Sequence, residues 1–456
     1  MSKTRALLEE TSRRAISYLE GLDERSVAPS PEAIAGLDRL EEALPDHPGD
    51  ALETVRFLDE VCSPGTMAMA GPRFFGFVIG GAHPAPLAVN WLAAAWDQNS
   101  ALYNVTPATA KLEQVALRWL LDLLELPPRC GGAFVTGATM ANFSALAAAR
   151  HSVLHGAGWN VEANGLFGAP EITVIVGEEA HPTLIKALGL LGFGRNRVVR
   201  VPVDGQGRLR PDTFPRIAGP TIVCLQAGNV NTGAVDPIGE ICAAAHRAGA
   251  WVHVDGAFGL WANAVPSLRD RTPGIAEADS WATDFHKWLN VPYDSGLALV
   301  RDPDALSASM AVTAEYLPTE SPLRNPSDFT PELSRRARGV EVWAVLRSLG
   351  RSGIVDLIDR NCRYARTFAR GLMGAGFDVL NDVILNQVLV AFGDAERTLR
   401  VISRIQEEGT CWCGGTVWQG HTAMRISVSS WATTEEDVAM SLAAMLRAAR
   451  DVDAGA

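Results

Sequence analysis

The sequence has no apolar signal core at its start, no internal repeat, no low-complexity tract and no excess of positive charge. Its first ten residues carry Lys3, Arg5, Glu9 and Glu10, so a secreted product is not expected. A net charge of −12 argues against a nucleic-acid surface. The 7 cysteines form an odd set without repeated spacing, which fits reduced thiols and a cytoplasmic location better than a disulfide framework. Cys411 and Cys413 are the one close pair; with no His or Cys partners nearby they read as buried thiols, not a metal site. Asp, Glu, Lys and Arg are missing from Phe74 to Trp96, a length that approaches a membrane span. Gly76, Gly80, Gly81, Pro84 and Pro86 interrupt that run, so the expectation is a buried loop, then a core helix, and no membrane segment.

What is present is a large core. Of 456 residues, 47% are apolar and 20% charged. Residues 5–22 and 50–62 show a helical apolar period, with faces that need a neighbour to cover them. From Ile172 onward, short apolar strands alternate with helices through Trp251–Asp255, which predicts a mainly parallel sheet covered on both sides. Ligands in such sheets sit beyond the carboxyl ends of the strands. Residues 305–324 show little periodicity and read as a mobile loop, and the pattern after residue 353 predicts a smaller α+β domain.

Four features carry chemistry. Lys287 lies between His286 and Trp288, where desolvation would favour a nucleophilic amine. Cys130–Arg150 reads as a strand over Ala133–Thr136, a tight turn over Gly137–Thr139 and a helix, and the free N–H groups at the helix start make an anion site to which Thr139 can add a hydroxyl. Asp255 ends a buried strand beside small Gly256 and Ala257 and could hold a cation, while His181 starts a helix at the same edge. Each has an ordinary structural reading: a snorkelling lysine, a helix cap, a capping histidine. Together they match pyridoxal 5'-phosphate, which needs an amine for its aldehyde, donors for its phosphate and an acid for its ring nitrogen.

The residues Thr136–Asn142, Glu178–His181, Trp251–Phe258, His286–Leu289 and Leu333–Arg338 resemble the group II pyridoxal-phosphate decarboxylases, of the aromatic-L-amino-acid and glutamate decarboxylase kind. The resemblance runs from about Arg73 to Val428. It implies an α/β fold of type I, aspartate-aminotransferase-like, with a helical dimer-clasping arm over 1–70, a large cofactor domain over 71–330 and a small C-terminal domain over 331–456. It implies that Lys287 carries the cofactor, that Asp255 pairs with its ring nitrogen, and that Ala257 and His181 cover the two ring faces. Ala138, Thr139, Asn142 and His286 would complete the cofactor site, and Ser334 would reach the partner's phosphate in a homodimer with shared active sites. Tyr316 would return a proton after carbon dioxide leaves an L-amino acid substrate. A lyase, an aldolase or an aldehyde synthase on the same fold is the alternative.

Three departures stand out. Asp284 takes a position where the family often has Asn. Asn229 and Val230 fall where animal aromatic decarboxylases carry threonines. The expected pocket wall, Phe77, Val78, Asn99, Ala101, Tyr103 and Tyr293, is less aromatic than in the aromatic-acid enzymes, which leaves a non-aromatic substrate open.

Overall fold

Every residue of Trp251–Asp255 is buried, as a strand covered on both faces must be. In the computed structural model, which describes residues 3–312 and 324–454, this run is an inner strand of a seven-stranded sheet. The strands are β1 (Gly131–Val135), β2 (Thr173–Gly177), β3 (Val199–Val201), β4 (Thr221–Gln226), β5 (Trp251–Asp255), β6 (Ser280–Asp284) and β7 (Gly296–Val300). Their order is β1-β7-β6-β5-β4-β2-β3. Strands β2 to β6 pair in parallel, and β7 runs antiparallel to both β6 and β1. The carboxyl ends of β1, β4, β5 and β6 therefore share one edge.

The helix Ala138–Gly156 lies on this sheet through Ala141, Ala145 and Ala148, all fully buried against Val135, Val176 and Ala282. Alanines at this face let the helix backbone approach the strands closely, which brings its N-terminus to the edge where β1 ends.

The chain forms two compact units: Gly80–Arg366 with Leu380–Val388, and Met1–Ile79 with Thr367–Val379 and Leu389–Ala456. The first holds the large sheet. The second carries most of a four-stranded sheet ordered β10-β11-β9-β8, from β8 (Asp378–Val379), β9 (Gln387–Ala391), β10 (Gly414–Trp418) and β11 (His421–Ser427). Its β10–β11 hairpin turns on Gln419 and Gly420, both at positive φ (45° and 87°), the geometry that a two-residue hairpin requires. Phe74 stacks on Trp412 at 5.0 Å, and Arg73 pairs with buried Asp437 at 3.0 Å in the same unit.

Two expectations need correction. The uncharged run does end in a helix, Pro84–Trp96, but that helix buries only Pro86; Trp91, Leu92 and Trp96 are exposed. It is not a core helix: its apolar residues face outward in the single chain. The segment expected as a loop from Ala305 begins inside a helix, Pro303–Met310, set by Asp302 as N-cap and Pro303 in the first turn. The long helix Gly339–Gly374 breaks at Gly350.

Candidate active site

The shared strand edge opens into a cavity of about 370 Å³. Lys287, His286, Asp255, Ala257, Ala138, Thr139, His181 and Tyr293 all line it, so residues scattered over more than half of the large unit meet there.

Asp255 ends β5 and is 4% exposed. Its carboxylate accepts from the Asn142 side-chain amide at 3.2 Å and from the Ala257 N–H at 3.3 Å. The Asn142 carbonyl oxygen lies 2.8 Å from His253 Nε2, and His253 Nδ1 lies 2.9 Å from the Ser280 hydroxyl. Burial pushes His253 down to about 3, so it is a neutral ring that donates from Nε2. That fixes the Asn142 amide with its N–H aimed at Asp255. Burial pushes the Asp255 carboxyl up from the usual range, and His181, Lys287 and the Asn142 bond pull it back only in part. A positive group entering the cavity would relieve it.

Another wall is the N-terminus of the helix Ala138–Gly156. Here Gly137 and Gly296 touch: a Cβ on Gly296 would lie 2.5 Å from the Gly137 Cα, so only glycine admits this approach. The Ala138 N–H donates to Asp284 Oδ1 at 2.5 Å, and Asp284 Oδ2 lies 2.9 Å from Lys287 Nζ. The lysine therefore meets a carboxylate, not the apolar wall expected from its neighbours. Asp284 ends β6 and is 3% exposed; its backbone is pinned by N–H donation to Ala257 and by the Trp261 indole N–H on its carbonyl.

His286 stacks on Tyr293 with ring centroids 4.2 Å apart. Its Nε2 is 3.5 Å from Asp284 Oδ1, and its Nδ1 is buried without a hydrogen-bond partner. Burial lowers its pKa. His181 caps the helix Pro182–Leu190, with Nδ1 2.6 Å from the Thr183 hydroxyl.

The other expected site residues lie elsewhere. Phe77 and Val78 belong to the other unit, both at positive φ, with Phe77 stacked on Trp412 at 5.6 Å. Asn99 and Ser334 line a separate cavity of about 630 Å³, where Asn99 accepts from the Arg335 N–H. The Ala101 carbonyl accepts from the Ser327 N–H, and the Tyr103 N–H donates to Asn325. Tyr316 lies outside the described residues. Sequence reasoning passed over Thr183, Gln226 and Phe258, which line the Lys287 cavity together with Val230, and His253, bonded to Asn142. Gln226 was findable: it ends β4 in register with Asp255.

The donor set fits pyridoxal phosphate. A helix N-terminus, the Thr139 hydroxyl and an orphaned His286 nitrogen suit the phosphate; Lys287 suits the aldehyde; a buried anion suits a protonated ring nitrogen. One group conflicts, the Asp284 carboxylate at the phosphate end. A lysine, a strand-end carboxylate and a helix N-terminus on one edge of this sheet define a pyridoxal-phosphate enzyme of fold type I.

The pyridoxal-dependent decarboxylase conserved domain matches residues 33–393, and the chain belongs to the pyridoxal-phosphate-dependent decarboxylase family. It is 27% identical over 461 residues to tryptophan decarboxylase 1 of Oryza sativa subsp. japonica, covering 92% of this chain and 88% of that one. It is 27% identical over 362 residues to the aromatic-L-amino-acid decarboxylase of Bacillus atrophaeus, covering 77% and 73%. The solved structure of Oryza sativa TDC with PLP and tryptamine superposes with a TM-score of 0.90 at 24% identity, covering 99% of this chain and 98% of that one, a likeness of fold.

Proposed function

We propose that the enzyme removes the α-carboxylate of an L-amino acid as carbon dioxide and releases the amine, using Lys287 as the cofactor anchor. One observation carries this reading: Lys287, buried Asp255 and the N-terminus of the helix Ala138–Gly156 open into a single cavity. Bound pyridoxal phosphate supplies an aldehyde for the amine and a cationic ring that accepts the electron pair of the broken bond. Asp255 holds the proton on the ring nitrogen, and the Asn142–His253–Ser280 chain keeps that carboxylate oriented. His181 and Ala257, which line the same cavity, would cover the two faces of the ring. The Ala138 N–H, the Thr139 hydroxyl and His286 hold the phosphate. The half-buried cavity keeps the leaving carboxylate out of bulk water, which favours neutral carbon dioxide. Tyr316 returns the proton to the α-carbon.

The active unit in this reading is a homodimer. In support, the helix Pro84–Trp96 leaves Trp91, Leu92 and Trp96 uncovered, and exposed Ser334 opens on a cavity other than that of Lys287. The unpaired cysteines support a reducing, cytoplasmic setting. Among the described residues no helix is long and apolar enough to cross a membrane.

The test is a panel of the twenty L-amino acids scored for carbon dioxide, amine, aldehyde and hydrogen peroxide. Carbon dioxide with stoichiometric amine is expected for one side-chain class. Aldehyde with hydrogen peroxide would move the enzyme to the aldehyde synthases, and no release from any amino acid would overturn the reading.

A further inference from the structure

We propose that Asp284 is an internal anion that competes with the cofactor for its own site, so that loading this enzyme is a displacement reaction. The inference rests on the reading of Ala138–Thr139 as the phosphate cradle and Lys287 as the anchor.

The geometry is specific. One carboxylate oxygen of Asp284 takes the Ala138 N–H, the first donor of the helix N-terminus, at 2.5 Å. The other takes the Lys287 ammonium at 2.9 Å. A single side chain thus holds both groups that the cofactor uses, one at its phosphate and one at its aldehyde. His286 Nε2 lies 3.5 Å from the same carboxylate, and a Cβ on Gly137 would sit 3.1 Å from Asp284 Oδ1, so no slack separates the carboxylate from the cradle. The backbone cannot carry Asp284 away, because its N–H and C=O are bonded to Ala257 and Trp261. Release must come from rotation of the side chain.

A phosphate dianion brought to the Ala138 N–H meets this carboxylate at close range in a buried wall, where like charges repel far more than in water. Lys287 must leave its ion pair before its amine can attack the aldehyde. Both steps oppose loading. An asparagine at 284 keeps an acceptor for the Ala138 N–H, removes the negative charge, offers an N–H to the phosphate and frees Lys287. The carboxylate also gives the cofactor-free protein a benefit: it satisfies a helix N-terminus and a half-buried ammonium that would otherwise face each other.

The experiment uses cofactor-free full-length protein of wild type, Asp284→Asn, Asp284→Ala and Lys287→Ala. Pyridoxal phosphate is titrated and followed by the Schiff-base absorbance, and inorganic phosphate is tested for its effect on Tm. Asp284→Asn is expected to bind the cofactor at least tenfold more tightly than wild type and to gain more Tm from inorganic phosphate. Asp284→Ala, which lacks both charge and acceptor, carries the same expectation should the asparagine variant fail to fold. Equal or weaker cofactor binding by the folded variants overturns the proposal. The underlying site reading is scored separately: Schiff-base absorbance that survives Lys287→Ala overturns the anchor assignment, whatever Asp284 does.

Discussion

Replacing Asp255 with asparagine should have two opposite effects, and the structure sets both. Asp255 is a carboxylate at 4% exposure whose pKa is raised, chiefly by burial. A raised carboxyl binds protons in the folded state at a pH where the unfolded chain has lost them. Stability therefore falls as pH rises through that window, and above it the buried charge is a standing cost. Asparagine removes the charge and keeps one acceptor for Asn142 or Ala257, whose bonds now go to separate oxygens; because the buried charge is the larger cost, cofactor-free Asp255→Asn should melt higher than wild type at pH 7. Catalysis should move the other way. A unit positive charge about 4 Å from a carboxylate gains about 4 kcal/mol at an effective dielectric near 20. Losing that hold on the ring proton should lower kcat by roughly a thousandfold. Cofactor-saturated variants are assayed by carbon dioxide release, with Asp255→Glu expected to recover part of the rate. A kcat for Asp255→Asn within tenfold of wild type would refute the role given to this carboxylate.

Other perturbations separate the parts of the site. Gly296→Ala puts a Cβ 2.5 Å from the Gly137 Cα and should cost about 1–3 kcal/mol, read as a lower Tm, with weakened cofactor binding because the cradle must shift. His253, held down to about 3, lets the unfolded chain bind a proton the folded chain refuses between pH 6.5 and 3. Stability should fall with pH across that window by up to about 1.4 kcal/mol per pH unit, and pH-dependent denaturant titration should show a shallower fall for His253→Gln. Tyr316→Phe should lower amine formation and raise aldehyde and hydrogen peroxide, measured in one product assay; unchanged products would remove Tyr316 from the reaction.

Much of this fold is written in local pattern. Trp251–Asp255 and Thr221–Gln226 are apolar strands with polar ends, and the runs between them have helical period, so the parallel sheet and its ligand edge follow from composition alone. The helix Pro84–Trp96 misled because burial in one chain is not a property of hydrophobicity; an apolar face can be kept for another surface. Pro303–Met310 was missed because its eight residues carry too few apolar positions to show a period, although Asp302-Pro303 is a start signal.

In the site, Lys287, Asp255 and the Thr136–Asn142 turn were legible because their chemistry dictates residue type. Asp284 could be seen but not placed. Its position depends on the antiparallel β6–β7 pairing, which sets the end of β6 against the Gly137 turn, and on a rotamer that no spacing encodes. His253 was invisible for a similar reason: it acts through Asn142, which lies on the helix Ala138–Gly156, on a carboxylate two residues ahead of it in its own strand.

The assignment of Lys287 is most directly tested by reducing the cofactor-loaded enzyme with borohydride and mapping the modified peptide by mass. Lys3, Lys111, Lys186 and Lys287 are the chain's only lysines, so the answer is unambiguous. The account predicts one pyridoxyl group per chain, on Lys287, and none after Lys287→Ala. A label on any other lysine, or none at all in enzyme that still releases carbon dioxide, would contradict it.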